Sequence, residues 1–295
     1  MTSAAQVVAQ AKVNLVLRVL AREASGYHSI ETVFLRLDLG DGVHVRATPS
    51  GRAVDCAGPA MPEGGLGPAE KNLAYRAAVA YQEATGWPAG FSIEIDKQIP
   101  VGAGLGGGSA DAGAVLRCLD ALAPTPLGPH LVELAAPLGS DVPFTTIGSP
   151  MALGWSRGER LHPVRPLEPR PVAVLKPPFA VATADAYGWL AADRGSYAPS
   201  ASVIEPEALA TWEAVGTLAT NDFQRVVGGR HPDLLEMVDD LTSRGALLSM
   251  LAGSGSAVFG VFSGPPDAAA IARDNGCDVL MTRTSDRVVQ VETAE

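Results

Sequence analysis

The residues Pro100-Val101-Gly102-Ala103-Gly104-Leu105-Gly106-Gly107-Gly108-Ser109-Ala110-Asp111 constrain this chain more than any other stretch. Five glycines fall in the seven positions 102–108. Glycine lets backbone turn sharply and lets amide N–H groups approach a ligand closely. The next residues, Ser109 to Leu122, place Val115, Leu116, Leu119 and Leu122 at helical spacing. Ser109 is expected as the N-cap of that helix. A glycine loop feeding a helix N-terminus is a ready anion site, because free N–H donors and the positive dipole end point the same way.

Three phosphate-binding patterns and a plain linker compete for this segment. Gly102, Gly104 and Gly107 satisfy G-x-G-x-x-G, but Pro100 interrupts the approach to the first glycine. The nearest acidic candidate, Asp120, lies within the helical pattern rather than at the end of a following strand, so the dinucleotide reading lacks its context. A Walker A loop needs a terminal Gly-Lys-Ser/Thr, which the chain does not contain. A linker does not account for so many glycines opening an amphipathic helix. What is left is a phosphate loop of another kind.

The surrounding pattern is α+β. Val13 to Val19 alternates, and Lys12 and Asn14 fall on one side of that strand. A loop, Glu23 to His28, precedes a second strand at about 30–39, and Gly40-Asp41-Gly42 is expected to turn it into a third at 43–47. Residues 48–68 are expected as an irregular loop, 72–84 as a helix, 91–95 as a strand and 130–138 as a helix ending in Gly139-Ser140-Asp141-Val142-Pro143. An Arg- and Pro-rich stretch at 155–170 suggests a division into domains 1–158 and 159–295. Beyond it, strands at 172–175, 246–250, 257–262 and 279–283 alternate with helices at 183–192, 233–243 and 267–275.

Charge and composition exclude several functions. A net charge of −10 argues against sequence-independent nucleic-acid binding, which needs many cationic contacts. No apolar run reaches the length of a membrane span, and the N-terminal segment does not read as a signal peptide, so a cytoplasmic protein is expected. Cys56, Cys118 and Cys277 match no zinc spacing, and no metal-ligand set is expected. Of the 22 basic residues only Lys12, Lys71, Lys97 and Lys176 are lysine, and the first three flank the segments of interest.

Residues 100–109 resemble the phosphate loop of the GHMP kinases, the family of galactokinase, homoserine kinase and mevalonate kinase. Ala11-Lys12-Val13-Asn14-Leu15, Gly26-Tyr27-His28, Gly139 to Pro143, Asn221-Asp222-Phe223 and Gly253-Ser254-Gly255-Ser256 follow the order found in one branch of that family. That branch phosphorylates a cytidine diphosphate-linked methylerythritol for isoprenoid biosynthesis. The resemblance implies an N-terminal domain like the second domain of ribosomal protein S5 and a ferredoxin-like C-terminal domain, with ATP and Mg2+ as cosubstrates. It implies phosphoryl transfer to the 2-hydroxyl of a small-molecule acceptor by a monomer or homodimer, without nucleic acid or membrane.

By that resemblance Asp141 is the catalytic base and Lys12 its cationic neighbour; a nearby ammonium favours a carboxylate's charged form. Pro100, Val101, Gly102, Ala103, Gly104, Leu105, Gly106, Gly107, Gly108 and Ser109 hold the ATP phosphates. Asn72, Leu73 and Lys97 lie on the adenine side. Asn14, Tyr27, His28, Tyr187, Gly253 and Ser254 bind the acceptor. Asp111 reads as a capping acid in preference to a residue that helps orient Mg2+, and Asn221 to Phe223 as structural. Ala110 and Gly113 depart from residues often seen in the family's loop helix, and Gly113 should weaken the helix relative to Ala.

Overall fold

The computed structural model describes residues 3–22, 28–193 and 204–294. Two long strands frame the first half. β1 (Ala4–Arg22) and β2 (His28–Thr48) pair antiparallel along most of their length, with bulges between Gln10 and Lys12 and between Asn14 and Val16. The hairpin expected at Gly40-Asp41-Gly42 is therefore absent: these residues run straight through β2 opposite Gln10, Ala9 and Val8. Gly40 is there for closeness rather than for a turn, since a Cβ would lie 2.5 Å from Val8 Cγ1.

The irregular loop expected at 48–68 contains β3 (Arg52–Ala57), which runs parallel to β4 (Gly90–Asp96) at the edge of the sheet. Helix α1 (Leu73–Thr85) is capped by Asn72, whose side chain accepts from the Ala74 N–H. Helix α2 (Gly107–Leu122) lies against α1 and across β1 and β2. The helix expected at 130–138 shortens to α3 (Leu131–Ala135), and a second short helix, α4 (Val142–Thr146), begins in the segment expected to end it, with Asp141 at the N-cap position. β5 (Met151–Ser156) pairs with β2 and with β6 (Arg160–Pro163).

The second sheet has the order β11-β7-β10-β9, formed by β7 (Pro171–Lys176), β9 (Ala246–Leu251), β10 (Val258–Phe262) and β11 (Asp278–Arg283). All its pairs are antiparallel. The order 4-1-3-2 with intervening helices is ferredoxin-like. Those helices are α5 (Thr183–Asp193), α6 (Trp212–Leu218), α7 (Asp222–Gly228), α8 (Pro232–Ser243) and α9 (Ala268–Asn275). Strand alternation divides the burial. Val172 and Val174 of β7 join the large core shared with the first sheet, whereas Ala173 and Leu175 pack under α5, α7 and α8.

The two halves interlock rather than meet end to end. The 158/159 division falls in the turn of the β5–β6 hairpin, both strands of which belong to the first sheet, and the chain crosses between Pro163 and Pro171. β8 (Thr220–Asn221) pairs with β1, and the C-terminal β12 (Glu292–Ala294) returns to Ala4–Gln6. The sequence division missed this return because three exposed residues carry no usable strand pattern.

Candidate active site

The loop 100–106 and the start of α2 form one wall of a cleft of about 480 Å³. Helix α2 begins at Gly107, two residues before the expected cap, so Ser109 lies inside the first turn. Gly106 occupies the cap position with φ 73°, a left-handed conformation natural to glycine, and makes no side-chain cap bond. The first amides of α2 are thus left without a capping side chain, the arrangement an anion needs. Lys12 fixes the loop to β1, its backbone N–H donating to the Leu105 carbonyl at 2.9 Å. Across the cleft, Gly104 (φ 83°) lies so close to the Gly253 loop that a Cβ would stand 1.9 Å from the Ala252 carbonyl oxygen. The Ala257 N–H donates to the Ala103 carbonyl at 3.2 Å, so the loop ties the two sheets together.

Lys12 is 4% exposed, which rules out a solvated strand lysine. Its Nζ lies 3.0 Å from Asp141 Oδ2 and donates to Asn14 Oδ1 at 2.9 Å and to the Gly104 carbonyl at 3.2 Å. The Asp141 side chain, by contrast, is 27% exposed, so one face of this carboxylate meets the cleft. It makes no cap bond to α4. The Asx-type capping that would make it merely structural is not formed. Asn14 Nδ2 donates to Thr32 Oγ1 at 2.8 Å, which directs its Oδ1 to Lys12.

Lys97, Asn72 and Leu73 line the end of the cleft nearest α1. Lys97 is buried, and its ammonium is held by Asp41 and by Asp111 Oδ2, the latter at 2.6 Å. Asp41 also accepts from the Gln98 and Ile99 N–H groups at 2.6 and 2.7 Å. The capping role expected for Asp111 is not what is found: it lies one turn inside α2 and faces Lys97. Two carboxylates share one ammonium here. Burial raises the Asp111 carboxyl to about 7 despite the neighbouring ammonium, with Asp41 reinforcing the rise. The two carboxylates hold Lys97 in the charged form against its burial. Sequence inspection missed Asp41 because Gly-Asp-Gly reads as a turn.

At the opposite end, Tyr187 of α5 lines the cleft, stacks on His28 with centroids 4.5 Å apart and meets Phe223 edge-on at 4.8 Å. Tyr27 lies outside the described residues. Gly253 and Ser254 line the same cleft, and Ser254 Oγ is 3.0 Å from Thr183 Oγ1. Asn221 does more than cap α7: its Nδ2 donates to the Leu251 and Gly253 carbonyls at 2.8 and 2.7 Å, fixing the Gly253 loop. Ser140, Thr183 and Phe223 also line the cleft, although none of them was expected to bind a ligand and Phe223 was expected to be structural.

The arrangement is a nucleotide-sized cleft with amide donors on one wall and a carboxylate–ammonium pair beside them. Residues 72–149 match the GHMP kinases N terminal domain family and residues 207–279 the GHMP kinases C terminal family. A 4-diphosphocytidyl-2-C-methyl-D-erythritol kinase of Anaeromyxobacter dehalogenans (strain 2CP-1 / ATCC BAA-258) is 42% identical over 293 residues, 95% of this chain and 90% of the relative. One of Moorella thermoacetica (strain ATCC 39073 / JCM 9320) is 38% identical, with 94% of this chain and 97% of the relative covered. The crystal structure of a 4-(cytidine 5'-diphospho)-2C-methyl-D-erythritol kinase superposes with a TM-score of 0.76 at 34% identity, covering 95% of this chain and 99% of that one. Cleft, two-domain fold and near full-length similarity agree, and the chain belongs to the 4-diphosphocytidyl-2-C-methyl-D-erythritol kinase family of GHMP kinases.

Proposed function

We propose that this enzyme transfers the γ-phosphoryl group of ATP to the 2-hydroxyl of 4-diphosphocytidyl-2-C-methyl-D-erythritol, in the cytoplasm. The observation that carries the reading is the Lys12–Asp141 pair at 3.0 Å beside the glycine loop. In this reading the amides of Gly102 to Ser109 hold the phosphates, Asn72, Leu73 and Lys97 form the adenine side, and Asn14, Gly253 and Ser254 position the acceptor. His28 and Tyr187, already stacked on each other, offer an aromatic platform for cytosine. The first domain then carries the nucleotide and the second closes over the acceptor.

Phosphoryl transfer asks little covalent chemistry of the protein and much positioning and charge stabilisation. Asp141 accepts the hydroxyl proton as the acceptor oxygen attacks. Lys12, already bound to Asn14 and the Gly104 carbonyl, supports the developing negative charge without moving. Among the described residues no group of three acid, His or Cys side chains gathers. Mg2+ would thus ride mainly on phosphate oxygens and water, as it commonly does, and supply charge neutralisation there.

Coupled ADP release with 4-diphosphocytidyl-2-C-methyl-D-erythritol, homoserine and mevalonate as parallel acceptors tests the assignment. The cytidine-linked acceptor is expected to be turned over at least about 100-fold more efficiently, since a site built for polar groups rejects ligands lacking them. Comparable turnover of homoserine or mevalonate would overturn it.

A further inference from the structure

Arg36 has no part in the chemistry above, yet it is 1% exposed and the largest of the fully buried side chains among the described residues. It sits opposite Lys12 in the β1–β2 ladder, so the two side chains leave the sheet on the same face. Lys12 reaches Asp141 at the start of α4. Arg36 reaches the other end of α4 and the residues just beyond it. Its Nη2 donates to the carbonyls of Phe144, Thr145 and Ile147 at 2.8, 3.0 and 2.9 Å, and its Nε to that of Ser149 at 3.1 Å. The guanidinium also lies 5.0 Å from the Phe144 ring, which stacks on Phe34 of β2.

No carboxylate pairs with Arg36 among the described residues. Burying an unpaired cation is costly, and here burial, with Arg117 nearby, lowers its pKa to about 9. What offsets the cost is a set of carbonyls that five residues of helix cannot satisfy internally. A second device holds the same helix from the side. Thr145 Oγ1, with one proton to give, lies 2.7 Å from the Ser109 carbonyl in the first turn of α2, the nearer of two acceptors, and 2.9 Å from the Val142 carbonyl of its own helix. Gly113 permits that approach, since a Cβ there would stand 2.5 Å from Thr145 Oγ1.

We propose that Arg36 and Thr145 are positioning residues for Asp141, fixing α4 against the sheet and against the phosphate-binding helix so that the carboxylate faces the transferred group. This rests on the reading of Asp141 as base. Lys12 and Arg36 thus hold the two ends of one short helix from adjacent strands, and Thr145 sets its distance from α2.

The test is steady-state kinetics of Arg36→Gln and Thr145→Val in the full chain, alone and in an Asp141→Asn background, with ADP thermal shift as the binding readout. Each single variant is expected to lose about 10- to 100-fold in kcat, the scale of a misplacement of about 1 Å, with the KM for ATP and the ADP shift within about twofold. Thr145→Ser should recover most of the loss, and in Asp141→Asn neither substitution should add a comparable further loss. Unchanged kcat in Thr145→Val, or losses that persist in full without the Asp141 carboxylate, would overturn the proposal. If Arg36→Gln does not fold, Thr145→Val decides alone. Normal turnover in Asp141→Asn would remove the base reading itself, a result distinct from failure of the positioning variants.

Discussion

Lys12 Nζ stands 3.0 Å from Asp141 Oδ2, a buried ammonium against a carboxylate that still meets the cleft. Their exposures differ: the lysine is enclosed, whereas the aspartate is open to the cleft. Asp141→Asn is expected to lower kcat by about 100- to 10,000-fold, the range of general-base catalysis, while ADP still shifts the melting temperature as in the parent. Lys12→Met should also lose turnover, and because Lys12 contacts the Gly104 carbonyl it should weaken nucleotide binding as well. Coupled ADP release and thermal shift measured side by side check both.

The Lys97 cluster gives a pH prediction. The Asp111 carboxyl titrates near 7 in the fold against an ordinary value of 3.8. Between these values the folded protein keeps a proton that the unfolded chain releases. Stability from this group is therefore present at low pH and lost as pH rises toward 7, by on the order of 1–3 kcal/mol. Urea unfolding of the parent and Asp111→Asn from about pH 5 to pH 8 should show the substitution reducing this downward slope. A slope that Asp111→Asn leaves unchanged would contradict the assignment.

Gly113→Ala poses propensity against packing. Alanine gains up to about 1 kcal/mol in a helix interior. A Cβ at this position meets Thr145 Oγ1 at 2.5 Å and the Thr145 carbonyl carbon at 2.8 Å, and backbone cannot move aside cheaply. Overpacking of about 1–3 kcal/mol wins, and the variant should melt lower than the parent. A raised melting temperature would show that α4 yields easily.

Gly104→Ala is expected to be worse. The residue has φ 83°, and the added methyl would collide with the Ala252 carbonyl oxygen at 1.9 Å. Left-handed strain alone costs roughly 1–2 kcal/mol, before the clash separates the loop from the second sheet. Loss of stability by urea unfolding, together with loss of the ADP shift, is the expected outcome.

Tyr187→Ala should raise the KM for the cytidine-linked acceptor about 10- to 100-fold, as removal of a base-stacking ring does, and leave the KM for ATP unchanged. Tyr187→Phe keeps the ring that stacks on His28 and should retain most of the affinity. Equal effects of both on ATP would place the ring at the wrong end of the cleft.

Much of this was legible in the chain itself. The strand runs at 13–19, 91–95 and 172–175 and the helical runs at 183–192 and 233–243 all lie within the observed elements, because each pattern is carried by a short contiguous stretch. The glycine run marked the cleft wall, since φ values near +75° at 102, 104 and 106 together strongly favour glycine. Gly40-Asp41-Gly42 misled for the same reason. Glycine signals special backbone, and only the neighbouring strand decides between a turn and close packing.

The sequence by itself determined the alternation of elements, the glycine loop and the family to which the chain is similar, because each is carried by contiguous residues. The tertiary structure alone decided that Lys97 is enclosed by Asp41 and Asp111, that Arg36 holds the helix of Asp141, and that Gly113 admits Thr145. Such pairings join residues far apart in the chain. A buried charge leaves no periodic trace, and its partner is chosen by the strand register and helix approach that only the folded molecule fixes.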